Sequence, residues 1–256
     1  MEQFLCIELL LGKEKVKKLR DATVTIIGVG AVGSYAAEAL ARAGVGKLRL
    51  VDFDKIKPSN LNRHILALRS TIGKPKAALA EERIHDINPS CHVEALEVFA
   101  AVETIDRVLD NKPDLVIDAI DSLNPKSQVL KACYEKGIRV ISSMGAATRV
   151  EPFSIKAGDL MDTKCCPLAK RLRIKLKKEG VGRGIHCVYS DELRNLEAVD
   201  TAPAVSEDDY DRGRKRTKLG SLPTITGIFG LTVAHRAIEI LCGGFKKTAP
   251  VLKRTI

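Results

Sequence analysis

Three carboxylates, Asp52, Asp54 and Asp121, and two cations, Arg63 and Lys76, follow runs that read as strands or tight turns. Before them comes a glycine loop, Gly28-Val29-Gly30-Ala31-Val32-Gly33, directly after the apolar run Thr23-Val24-Thr25-Ile26-Ile27. Such a loop turns a strand tightly into a helix whose first amides can receive phosphate, and many nucleotide folds use one. Asp52 ends the next apolar run, about two dozen positions on, where a carboxylate suits a ribose hydroxyl; a helix cap would look much the same. A dinucleotide fold needs only that acid. Here Asp52-Phe53-Asp54 adds another, and Ser59-Asn60-Leu61-Asn62-Arg63 and Lys76 follow. An Arg in a polar loop is often a solvated side chain. With Lys76 entering from the next helix start, however, two cations are expected to converge on one cleft. There they would neutralise charge growing on a leaving pyrophosphate. Asp118 and Asp121 flank the carboxyl end of a later strand, where open α/β sheets bind ligands. Asp118 is expected to cap the turn, and Asp121 to hold magnesium beside the phosphates. The chemistry expected is nucleotidyl transfer.

These groups need a scaffold of alternating strands and helices. The glycine loop should open an alanine-rich helix over Ser34–Ala43, stopped by Gly44-Val45-Gly46, and Lys47–Asp52 should be the second strand. That unit has the length of a right-handed crossover in a parallel sheet. Further on, a helix is predicted at about Lys74–Asp86, a strand over His92–Phe99 and a helix over Ala101–Asp110. Asp114–Ile120, apolar on consecutive positions, should be a strand covered on both faces. A helix over Asn124–Lys136 and a strand over Ile138–Ser142 follow. Val16–Arg20 reads as a short basic helix end before the first strand.

After Gly145 the alternation weakens. Phe153-Ser154-Ile155 and His186–Tyr189 look like short strands flanking a basic helix from Pro167 to Lys178. Leu196–Gly220 has no apolar period and reads as a mobile connection. Leu222–Leu241 is the closing helix; the longer stretch to Cys242 is interrupted by His235, Arg236 and Glu239, which favours a buried helix over a membrane span. The fold class is therefore α/β: a doubly wound, Rossmann-like, mostly parallel sheet over residues 1–150, with an extension over 151–256 packed on the same domain. That extension holds short strands, the basic helix and the closing helix.

The 256 residues are 45% hydrophobic and 29% charged, the proportions of an ordinary globular protein, with enough chain for a large α/β core. Seven cysteines without an export signal at the start suggest reduced thiols and a cytoplasmic location. No Cys-x-x-Cys pair occurs, so no zinc is expected. The net charge is +10. It is concentrated: from Lys164 to Arg183 eight basic residues stand against Glu179 alone. Lys170, Arg171, Arg173, Lys175, Lys177 and Lys178 would suit an anionic partner such as RNA; a surplus that aids solubility is the alternative.

Taken in order, Gly28-x-Gly30-Ala31-x-Gly33, Asp52-Phe53-Asp54, Ser59-Asn60-Leu61-Asn62-Arg63, Gly73-Lys74-Pro75-Lys76 and Ala119-Ile120-Asp121-Ser122 resemble the adenylating domain of ubiquitin-activating-like enzymes. That superfamily includes the adenylyltransferases of molybdopterin and thiamine synthesis, and the resemblance covers roughly Leu9 to Met144. It implies a homodimer that binds ATP and Mg2+ and couples a carboxylate to AMP. Asp52 would hold ribose, Asn60, Arg63 and Lys76 the phosphates, and Asp121 the magnesium. Gly28, Gly30, Ala31, Gly33, Asp54 and Ser122 would complete the nucleotide site. Room is left for a structural monovalent cation.

Residues 117–122, Asp162–Arg173 with Pro167-Leu168-Ala169, Val188-Tyr189-Ser190 and Lys218-Leu219-Gly220-Ser221 look like the tRNA threonylcarbamoyladenosine dehydratase branch. In that branch the threonylcarbamoyl carboxylate on a tRNA adenosine is adenylated, and closure of the group onto its activated carbonyl expels AMP. The basic helix then meets tRNA phosphates. Relatives commonly carry an Arg-Thr pair ahead of Leu10-Leu11-Gly12, and that Arg reaches across the dimer to the triphosphate; here Cys6-Ile7 stands in its place. Lys13 or Arg20 would substitute, or activation would be slower. Cys165, Cys166 and Cys187 are expected to be packing residues, with a persulfide-accepting role beside a cysteine desulfurase as the outside alternative. Three rival functions remain: adenylation of the C-terminal glycine of a ubiquitin-like sulfur carrier, an NAD-linked oxidoreductase, and a non-catalytic RNA- or protein-binding scaffold.

Overall fold

The computed structural model describes residues 2–197 and 219–245. Helices α1 (Leu5–Leu11) and α2 (Lys13–Asp21) precede β1 (Thr23–Ile27). Strand and helix then alternate through α3 (Gly33–Arg42), β2 (Lys47–Val51), α4 (Lys76–Ile87), β3 (His92–Leu96), α5 (Ile105–Val108), β4 (Leu115–Asp118), α6 (Leu123–Glu135) and β5 (Val140–Ser143). β6 (Ile155–Asp159), α7 (Pro167–Lys178), β7 (His186–Ser190) and α8 (Pro223–Leu241) follow. The seven strands among the described residues join one sheet in the order β3-β2-β1-β4-β5-β7-β6. Every neighbouring pair is parallel except β6 with β7. The order reverses between β1 and β4, which opens a crevice above their carboxyl ends.

Consecutive apolar residues in the central strands feed two cores, one on each face. Val24, Ile26, Leu48, Leu50 and Ile117 pack with α3, α4 and α8. Ile27, Val51, Val116 and Val140 pack with α6 and α7 on the other side. α8 is, among the described residues, the one helix long and apolar enough to cross a membrane. Here Ile225, Phe229, Val233 and Ala237, one turn apart, face the first core. Gly230 lies so close to α3 that an added Cβ would sit 2.4 Å from the Val32 carbonyl oxygen.

The expected boundaries shift where local signals mislead. β3 stops at Leu96, and Ala101–Asp110 forms only the single turn of α5. Phe153 and Ser154 lie in a 3-10 turn, and the strand begins at Ile155. The helical N-terminal region is longer than Val16–Arg20, because α1 buries none of its own residues and so shows no amphipathic period. Most of Leu196–Gly220 lies outside the described residues.

A fully buried ion pair joins β4 to α6. Lys126 Nζ lies 2.5 Å from Asp118 Oδ2, and Ser142 Oγ on β5 donates to the same oxygen at 2.6 Å. Asp118 Oδ1 accepts from the Ile120 amide, so this carboxylate also caps the turn, as expected from the sequence. Removing one partner of such a pair leaves an uncompensated buried charge, typically about 3–5 kcal/mol destabilising. Lys126→Met should lose stability of that order in denaturant unfolding, and adding Asp118→Asn should restore part of it. A Lys126→Met variant as stable as wild type would show that the pair does not fasten β4 to α6.

Candidate active site

The glycines of the β1–α3 turn divide their work. Gly28, at φ +89°, lies against β4: a Cβ there would be 2.9 Å from the Ala119 carbonyl oxygen. At Gly33 a Cβ would come 1.9 Å from the Gly28 carbonyl oxygen, so both positions are closed to side chains by packing. Gly30 has open space before it. That is the position at which a dinucleotide-type loop lets a phosphate approach the backbone. Among the described residues no side chain caps the N-terminus of α3; the Ser34 amide bonds the Gly30 carbonyl, and the other end amides are left to serve an anion.

Asp52 fixes the shape of this loop. Its Oδ2 accepts from the Val29 amide at 2.7 Å, and its Oδ1 accepts from the Asp54 amide at 2.8 Å. Burial raises the Asp52 pKa, against the Lys76 charge and the two backbone donors, which lower it. Lys76, at the first turn of α4 and buried, donates to Asp54 Oδ2 at 2.7 Å. Its own amide bonds the Asp54 carbonyl. The β2 end and the α4 start are thus one unit.

Arg63 does not reach Lys76. Its Nη1 donates to the Ser59 carbonyl and to Asn62 Oδ1, both at 2.8 Å, so it folds back on its own loop. Asn60 Oδ1 accepts from the Lys57 amide and caps the turn Pro58–Asn60. Asp121 lies beyond the end of β4, exposed, and Ser122 Oγ donates to its Oδ1 at 3.3 Å. Asp121 directly follows Ala119 and Ile120, against whose backbone Gly28 of the glycine loop packs. A single exposed carboxylate fits a magnesium ion that takes its other ligands from phosphates and water.

Among the six basic residues of α7, Lys170, Arg171, Lys177 and Lys178 are exposed. Arg173 instead bonds the Thr163 hydroxyl and carbonyl, and Lys175 donates to Asn124 Oδ1. Cys166 and Cys187 are buried, and burial pushes the Cys187 thiol up to about 12. Cys165 is exposed, contrary to the packing role expected of it, because φ +54° turns it outward just before α7. Arg20 lies over the Phe4 ring, while Lys13 is exposed beside Glu8.

The sequence reading missed His64. Its Nδ1 accepts from the Leu66 amide and its Nε2–H donates to the Val29 carbonyl at 2.7 Å. Val29 is thus held at its amide by Asp52 and at its carbonyl by His64. Burial, with the Lys76 and Arg63 charges adding to it, pushes the His64 pKa from 6.5 down to about 4. Because the folded pKa is the lower one, stability is fully present above about pH 6.5 and declines as pH falls toward 4. Denaturant unfolding should show wild type losing up to about 3 kcal/mol more than His64→Gln across that window. Parallel losses in the two proteins would remove His64 as the titrating group.

The ThiF family model matches residues 3–255. The tRNA threonylcarbamoyladenosine dehydratase of Bacillus subtilis is 40% identical over 242 residues, 94% of this chain and 95% of that one. The crystal structure of Escherichia coli tRNA N6-threonylcarbamoyladenosine dehydratase in complex with ATP matches with a TM-score of 0.84 at 32% identity, covering 94% of each chain. Escherichia coli molybdopterin-synthase adenylyltransferase is 37% identical over 134 residues, 52% of this chain and 52% of that one. The glycine loop, the Asp52–Asp54–Lys76 unit and a likeness that runs the length of the chain lead to one conclusion: this chain belongs to the ThiF family, in its tRNA threonylcarbamoyladenosine dehydratase branch.

Proposed function

We propose that this protein uses ATP to cyclise threonylcarbamoyladenosine in tRNA. The observation that carries this reading is the extent of the likeness. It covers 94% of the chain for the Bacillus dehydratase, against 52% for the molybdopterin-synthase adenylyltransferase, so the second half also follows the dehydratases. Adenylation of a sulfur-carrier protein is supported by the shared nucleotide half alone. A carboxylate oxygen of the threonylcarbamoyl group attacks the α-phosphorus, an O–P bond forms, and pyrophosphate leaves. A nucleophile in the same group then attacks the activated carbonyl, and AMP departs with the carboxylate oxygen. The net change is loss of water.

In this scheme the amides around Gly30 and the first turn of α3 receive phosphate, and Asp52 accepts from ribose. Lys76 exchanges Asp54 for a phosphate oxygen, and Asn60 and Arg63 close over the chain of phosphates from their loop. Asp121 holds magnesium, which would neutralise charge on the phosphates. The protein acts as a homodimer in the cytoplasm; the support for the dimer is α1, where Leu9 and Leu10 are 78% and 83% exposed, an apolar surface that a second copy would cover. With Cys6 in place of the relatives' Arg, Lys13, exposed beside Glu8, is better placed than Arg20 to serve that neighbouring site, since Arg20 lies over Phe4.

Asp121→Asn and Lys76→Ala should each reduce single-turnover AMP formation by about 10²–10³, the usual effect of losing one group that stabilises developing charge. Either variant forming AMP at the wild-type rate while folded would take that residue out of the site. For tRNA, the exposed face of α7 should set the salt dependence. Replacing Lys170, Arg171 and Lys178 together by Ala should flatten the slope of log affinity against log salt by about two to three units, through lost counterion release. Arg173→Ala, whose side chain is turned onto Thr163, should leave that slope unchanged. A triple variant that binds tRNA like wild type at every salt concentration would make this face a solvated surface.

A further inference from the structure

Arg149, in the loop that follows β5, is a buried cation without a counter-ion among the described residues. It is 3% exposed, and its Nε and Nη1 have no hydrogen-bond partner. Only Nη2 is engaged, donating to the Cys165 carbonyl at 2.7 Å. The nearby carboxylates are turned elsewhere: Glu192 accepts from the Val150 and Glu151 amides, and Glu151 from the Phe153 amide. Among the described residues none pairs with Arg149. Buried guanidinium groups are as a rule paired, because an isolated buried charge is strongly unfavourable.

The bond to Cys165 places this guanidinium beside the N-terminus of α7, a helix of 12 residues. The cap there is the Cys166 sulfur, which accepts from the Ala169 amide at 3.5 Å. A thiol is a weak acceptor, so the helix end keeps much of its positive character. Two positive groups thus lie at the start of α7, and among the described residues no carboxylate pairs with the guanidinium. Thr148, the residue before Arg149, and Cys165, whose carbonyl it bonds, both hold positive φ, at 61° and 54°. Thr148 is further tied by its amide to the Gly220 carbonyl and by its carbonyl to the Asn195 amide, which fixes the loop that presents Arg149.

The loop lies on the reacting edge of the sheet. β5 is the parallel neighbour of β4, with Ser142 opposite Asp118, and Asp121 follows the end of β4. We propose that Arg149 and the N-terminus of α7 form an oxyanion subsite that receives the threonylcarbamoyl carboxylate and presents it to the α-phosphate. The assignment rests on the function proposed above. The depth of the guanidinium favours this ligand over a backbone phosphate: a slender arm ending in a carboxylate can enter where a nucleic-acid strand cannot.

The test is binding of two probes, tRNA carrying threonylcarbamoyladenosine and the same tRNA without the modification, with a non-hydrolysable ATP analogue present. Wild type should prefer the modified tRNA. Arg149→Met should lose about 10- to 100-fold in affinity for the modified tRNA, the scale of a charge-assisted hydrogen bond, and nothing for the unmodified one. It should unfold no more readily than wild type, since it removes an unpaired buried charge. Should it fail to fold, Arg149→Gln, which keeps a donor without the charge, is expected to show the same selective loss. Equal loss on both tRNAs would overturn the carboxylate assignment in favour of a backbone phosphate. Unchanged preference in a folded variant would overturn the subsite altogether. A wild-type protein that does not distinguish the two tRNAs would overturn the subsite and the tRNA-modifying function together.

Discussion

The Asp52 and Asp54 carboxylates together join three segments that are apart in the chain. One oxygen of Asp52 holds the amide of Val29 in the glycine loop, and the other holds the amide of Asp54 beyond β2. Asp54 in turn holds Lys76 at the start of α4. His64 completes the frame from the opposite side through the Val29 carbonyl. The open space before Gly30 and the uncapped end of α3 depend on this frame, because a loop free to move would not keep its amides aimed at one place. Fixing donors in advance is also what makes them effective toward charge that develops during a reaction. Lys76 is held by the Asp54 carboxylate, which a phosphate would replace in the function proposed above.

The second half of the chain turns a widely used nucleotide fold toward a particular substrate. β7 adds beside β5 in parallel, and β6 closes that side antiparallel, so the extension grows from the same sheet that carries the crevice. α7 packs through Ala169, Leu172 and Leu176 and turns Lys170, Arg171, Lys177 and Lys178 outward. Its N-terminus meets Arg149 at the carboxyl edge. On the function and subsite proposed above, one helix would offer an exposed basic face to a polyanion and a positive end to the reacting group. This would be a physical reason for finding charge concentrated between Lys164 and Arg183.

Much of this was legible in the sequence where burial produces a pattern. β1 and β4 are covered on both faces, so their apolar runs are continuous, and Gly28 and Gly33 mark places where only backbone fits. Elements at the rim were less legible. β3 and α5 came out shorter than their apolar spacing suggested, since a mixed surface pattern has no sharp end. Polar residues that become buried left no period to read. Lys126, His64 and Arg149 each look like surface residues in the chain, and only tertiary packing brings Asp118, Val29 and Cys165 to meet them. Arg63 and Lys76 were expected to converge, and in the fold each is held by an oxygen on its own loop or on the neighbouring strand end.

Carboxylate activation by adenylation can be followed atom by atom. A tRNA whose threonylcarbamoyl carboxylate carries heavy oxygen would be incubated with the protein and ATP, and the AMP and pyrophosphate weighed by mass spectrometry. If the carboxylate attacks the α-phosphorus and the ring then closes, each AMP released with cyclic product carries one heavy oxygen and the pyrophosphate carries none. Cyclic product accompanied by unlabelled AMP, or heavy oxygen appearing in inorganic phosphate, would contradict the acyl-adenylate route.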